Sequence, residues 1–123
     1  GAKTMPVYEM YKVGEDPFWL DGLNLLESAT GIKAAVVAHY NNNQGGTHDT
    51  RFCFIGEKRM QILESQLDAE PGILGLAEPT GIAFDLDEGT AEIFGKGLVT
   101  FKLGTMIKTF APKEVINTTA ISF

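Results

Sequence analysis

Cys53 is the only cysteine in the chain. A single thiol excludes an internal disulfide and a cysteine-ligated zinc site, and it suits a reducing compartment, so the expected location is cytoplasmic. Histidine is almost as scarce, with His39 and His48 alone. With Asp49 they are the residues from which a metal site could be built, but they show no metal-ligand spacing such as HExxH. Asp49 also has a competing role as helix cap, so no metal is expected, and no cofactor either. Lysine and arginine number 10 against 16 acidic residues, a formal charge of −6. No window concentrates the basic residues, which argues against nucleic acid or an anionic membrane as partner. No apolar run approaches the roughly 20 residues of a membrane span, and the opening GAKTM has no signal-peptide core. The serines are Ser28, Ser65 and Ser122, none of them in the Gly-x-Ser-x-Gly setting of a nucleophile elbow.

What remains is a chain of 123 residues with ordinary apolar content, enough for one domain, 1–123, around one core. The segment 6–13, PVYEMYKV, is β-rich and is stopped by Gly14 to Pro17. FWLDGLNLL (18–26) predicts a short helix or helical turn, broken by Gly31. IKAAVVAHY (32–40) is the clearest strand, a continuous apolar run of the kind covered on both faces. NNNQGGTH (41–48) is loop. A helix is predicted from Asp49 or Thr50 to about Leu67, with Asp49 as N-cap and Phe52, Ile55, Leu63 and Leu67 near one face. From Gly72 onward the pattern is strand and hairpin. Ile82, Phe84 and Leu86 alternate with polar or small residues, and Pro112 marks an edge or a bend. The expected fold class is α+β, a mixed sheet with one main helix (about 50–67) and C-terminal β-hairpins.

Chemistry concentrates in VVAHYNNNQGGTHDTRF. His39 stands where an apolar strand opens into a loop, the place where ligands sit in open α/β sheets; a strand-capping histidine with a satisfied hydrogen bond is the plainer reading. Gln44 to Thr47 reads as a flexible turn rather than a phosphate loop. Arg51 falls at the start of the predicted helix, where a cation opposes the helix dipole. That conflict points to a ligand carboxylate or an internal acidic partner. Cys53, between two phenylalanines, reads as a buried structural thiol, and Asp85, Asp87 and Glu88 as a solvated turn.

The order of His39-Tyr40, Asp49-Thr50-Arg51, an amphipathic helix, Gly75-Leu76-Ala77-Glu78-Pro79-Thr80-Gly81 and the Gly95-Lys96-Gly97 hairpin resembles a known family. It looks like the C-terminal half of class I glutamine amidotransferase-like proteins, in the peptidase E and cyanophycinase branch (serine peptidase family S51). The likeness spans roughly residues 6 to 104. It implies part of a three-layer α/β sandwich, and an amide or peptide hydrolase in which a serine attacks, a histidine takes its proton and an acid orients the histidine. By position His39 matches the base, and Asp16 or Glu78 the orienting acid; Asn41, Asn42 and Arg51 would face a small peptide or amide substrate. The sequence departs from the pattern at Ala38, where relatives carry proline, and above all in having no nucleophile. The nucleophile-bearing N-terminal half is therefore expected to lie outside this chain.

Two expectations follow. In one, the chain is a fragment or subunit of an amidohydrolase or peptidase, inactive until a nucleophile-bearing half completes it. In the other, it is a non-catalytic binding or interaction module. In both, the apolar strand 32–40 needs cover from a partner, so a homo-oligomer, specifically a homodimer, is expected.

Overall fold

The computed structural model describes residues 1–123 and is α+β, mostly strands in three sheets. The elements run β1 (Lys3–Thr4), a wide π-helical turn (Glu9–Val13), β2 (Leu20–Asp21), α1 (Leu25–Thr30), β3 (Ala34–Val37) and α2 (Gly56–Ser65). Then come β4 (Gly72–Leu76), β5 (Thr80–Asp85), β6 (Thr90–Gly95), β7 (Val99–Leu103), β8 (Met106–Phe110), β9 (Val115–Asn117) and a 3-10 turn at Thr118–Ala120. The central sheet has four strands in the order β3-β4-β7-β8. β3 and β4 are parallel, with Val37 opposite Gly75, and the other pairs are antiparallel. β5, β6 and β9 form a second, antiparallel sheet, and β1 pairs with β2.

Side chains alternate across a strand, so the central sheet feeds two apolar clusters. Ile73 and Val37 pack with Ile55, Met60 and Leu63 of the α2 region and with Met10. Ala34, Leu74, Val99 and Phe101 pack on the other side with Ala91 and Ile93 of β6 and with Ile121. The sheet is thus covered by a helix on one face and by the small sheet on the other. The β3-α2-β4 unit carries the loop after His39 across the end of the sheet. Trp19 fastens the N-terminal segment to it by donating Nε1–H to the Leu63 carbonyl at 2.8 Å. No helix is long and apolar enough to cross a membrane.

Three local expectations are corrected. Segment 6–13 is helical rather than extended: Val7, Met10 and Tyr11 are spaced for one helical face, and Met10 is fully buried from it. In 18–26 the backbone of Gly22 donates to Ala2 O at 3.0 Å beside the β1–β2 pair, so the helix starts only at Leu25. The main helix begins at Gly56, not near residue 50. Phe52, Cys53 and Phe54 are left-handed (φ 60, 56 and 74°) and Gly56 follows at 81°. Each non-glycine residue in that region costs about 1–2 kcal/mol. What holds them there is tertiary: Cys53 N–H donates to His39 O at 3.1 Å and Phe52 N–H to Tyr40 O at 3.3 Å, bonds a continuous helix would forfeit.

Candidate functional site

The end of β3 is built from the strand outward. Gly75 of β4 leaves the Tyr40 ring free to lie on it; a Cβ there would stand 2.5 Å from Tyr40 Cδ1. Tyr40 also packs edge-on against Phe52 with centroids 4.8 Å apart, and its burial, with the nearby Glu64 charge, pushes the phenol pKa up. With Tyr40 turned inward, His39 takes a left-handed backbone (φ 49°). Its carbonyl is gripped by the N–H groups of Asn42 (3.2 Å) and Cys53 (3.1 Å). Its ring lies against Phe54, 5.8 Å between centroids.

His39 Nδ1 is shielded from solvent and meets Glu78 Oε1, while each side chain as a whole stays about two-fifths exposed, at 44% and 40%. Glu78 follows β4. Its N–H donates to Asn41 Oδ1 at 2.7 Å, and the adjoining hairpin is held by Lys96 N–H to Pro79 O (2.9 Å) and Gly97 N–H to Thr80 Oγ1 (2.7 Å). A hydrogen bond closed between this carboxylate and Nδ1 would select the tautomer protonated there and leave Nε2 as the basic nitrogen. Such a pair can accept a proton from a nucleophile or a water and return it to a leaving group.

The sequence-chosen residues divide on this geometry. His39, Glu78 and Asn41 come together. Of the two candidate acids it is Glu78 that reaches His39; Asp16 lies exposed in the loop after the first helical turn. Asn42 does not face a substrate. It is 3% exposed, and its Oδ1 accepts from Thr50 Oγ1 at 2.7 Å and Gln44 N–H at 3.1 Å, so it ties the loop together from inside.

Arg51 finds the internal acidic partner. Its Nε and a terminal N–H hold the two oxygens of Asp49 at 3.0 and 2.9 Å, and that terminal nitrogen also reaches Glu57 at 3.0 Å. Asp49 Oδ2 further accepts the Glu57 N–H at 2.9 Å, capping α2 from across the left-handed turn. The Arg51 guanidinium first, and then the Glu57 and Arg51 N–H groups, hold the Asp49 carboxyl well below the usual carboxylate range; the Asp49 carboxylate first, and then that of Glu57, raise Arg51.

His39, His48 and Asp49 do not converge on a metal site. Cys53 is half-buried, and burial pushes its thiol pKa up, away from a nucleophilic thiolate. The serines hydrogen-bond locally, Ser28 to Asn24 O, Ser65 to Ile62 O and Ser122 to Thr119 O. Sequence reasoning missed Phe54, whose ring lies against His39, and Tyr11, whose ring stands 6.0 Å from that of Phe54. The signal available was the pair of phenylalanines flanking Cys53. Comparison with protein-family models, with curated proteins and with solved structures gives no match for this chain.

Proposed function

We propose that this chain supplies the histidine and acid of an amide- or peptide-hydrolysing site, with the nucleophile coming from a segment or chain other than the residues described. The observation that supports this reading is the approach of Glu78 Oε1 to the shielded Nδ1 of His39, with Asn41 fixing the Glu78 backbone. In this reading Glu78 orients His39 and stabilises the imidazolium that forms on proton transfer, and Nε2 is the base. The likeness of His39-Tyr40 and the Gly75–Gly81 stretch to the amidotransferase-like, peptidase E branch agrees with this chemistry. The test is hydrolysis of short peptides and simple amides by the longest natural product that contains this chain. His39→Ala should lower the rate by about 10⁶-fold, leaving a residual of about 10³–10⁴ over water, because members of a triad act as a unit. Glu78→Gln should lower kcat more than it raises KM. Unchanged turnover in His39→Ala would remove the histidine from any mechanism.

A second reading, a binding module that self-associates, draws on the position of β3. It is the outermost strand of the central sheet, with Ala2 N–H of the N-terminal segment already bonded to Ala34 O at 2.8 Å, and Val36 is exposed on it. An apolar edge favours pairing with another strand. Sedimentation equilibrium of the chain distinguishes a dimer from a monomer, and a charged substitution at Val36 should dissolve a dimer built on that edge.

A further inference from the structure

An open cleft of about 600 Å³ lies beside the left-handed turn, walled by Tyr11, Lys12, His48, Asp49, Phe54 and Arg59. That volume is in the range of small-molecule sites, about 300–1,000 Å³. One wall is aromatic: Tyr11 and Phe54 both line the cleft, their rings 6.0 Å apart at 43°. The charges do not balance. Asp49, the one acid in the lining, has both oxygens filled by Arg51 and by the backbone N–H groups of Arg51 and Glu57. Lys12 and Arg59 have no carboxylate partner. Lys12 leans on the Tyr11 ring at 5.1 Å, and Arg59 donates one N–H to Ile55 O at 3.1 Å, which leaves the remaining guanidinium donors free. In a chain of net charge −6 this cleft carries two unneutralised cations beside two aromatic rings.

We propose that the Tyr11–Phe54–Arg59 cleft binds a small aromatic carboxylate, its ring against Tyr11 and Phe54 and its carboxylate on Arg59 and Lys12. Guanidinium matches a carboxylate with two parallel hydrogen bonds, and an aromatic ring packs best offset or edge-on against other rings. The inference goes beyond the hydrolytic reading and does not depend on it, because binding is measured without turnover. Phe54 also touches the His39 ring, so a bound molecule would lie next to the His39–Glu78 pair.

The experiment is a titration of the intact chain with phenylacetate, followed by amide NMR shifts, with 2-phenylethanol as the uncharged analogue and acetate as the ringless one. Saturable shifts centred on Tyr11, Lys12, His48, Phe54 and Arg59 are expected, with both analogues at least about tenfold weaker. Lys12→Gln and Arg59→Gln should each weaken phenylacetate by about tenfold, the size of one charge-assisted contact. The Lys12 ammonium makes no hydrogen bond or ion pair in the fold and touches only the exposed Tyr11 ring, so its variant stays informative even if Arg59→Gln destabilises α2. Non-saturating shifts, equal binding of 2-phenylethanol or of acetate, or no loss in Lys12→Gln would each overturn the proposal.

Discussion

Replacing Gly75 by alanine should destabilise the protein, against the usual sign for such a change. At a position whose backbone suits alanine, removing a glycine stabilises by about 0.4–1 kcal/mol through the unfolded chain. Gly75 lies in the middle of β4, opposite Val37 on one side and Thr100 on the other. An added Cβ would fall 2.5, 2.6 and 2.7 Å from three carbons of the Tyr40 ring, so the whole ring must move rather than one flexible tip. Overpacking of this kind costs about 1–3 kcal/mol. Moving Tyr40 also weakens its edge-on contact with Phe52, a further loss of about 0.5–1.5 kcal/mol. The clash outweighs the backbone gain, for a net loss of about 0.5–4 kcal/mol, centred on ~2 kcal/mol.

Trp19, bonded to Leu63 O, is the one tryptophan and reports urea unfolding by fluorescence. With a slope of about 1.5 kcal/mol/M a loss of ~2 kcal/mol should lower the midpoint by roughly 1.3 M. In a Tyr40→Ala background Gly75→Ala should lose most of its cost, since the obstructing ring is gone. A stabilised Gly75→Ala, or an equal loss in both backgrounds, would refute the idea that the Tyr40 ring on β4 sets the geometry of His39.

Leu63→Ala empties a fully buried position between α2 and the central sheet and should cost about 2–5 kcal/mol, read from the same urea curves. The Asp49 carboxyl is depressed in the folded state, so its contribution is fully present above the ordinary carboxylate pKa of about 3.9 and is lost as pH falls through the lower folded value. The stability gap between the wild type and Asp49→Asn should therefore be constant near neutrality and shrink below about pH 4; a gap unchanged at acid pH would contradict the pairing. Burial raises the Cys53 pKa, so alkylation by iodoacetamide at pH 7 should run slower than for a free thiol and accelerate only at higher pH.

The histidine at the strand end, its loop and the later hairpins were legible because they depend on local patterns. A β-branched run ends at His39, Asn41–Asn43 and two glycines forbid continuation, and Ile82 and Phe84 alternate. The start of the main helix was not legible. Phe52 and Ile55 continue the apolar spacing of the helix behind an N-cap residue, and nothing local says that the Phe52 and Cys53 N–H groups will bond to the carbonyls of Tyr40 and His39 instead. Asn42 illustrates the same limit, since an asparagine in a polar loop gives no sign that it will be buried under Thr50. Glu78 and Asp16 could not be ranked from spacing, because the choice depends on how β4 and β3 align.

The sequence by itself determined the α+β content, the strand leading to His39 and the loop after it. All of these rest on short-range periodicity and backbone freedom. Only the tertiary structure decided that Glu78 reaches Nδ1 of His39 and that Arg51 is spent on Asp49 and Glu57. It likewise turned residues 52–54 left-handed and set Tyr11 beside Phe54. These pairings join residues that are far apart in the chain or held against their local preference. Their energies come from the parallel alignment of β3 with β4 and the packing of α2 across it, which no single segment encodes.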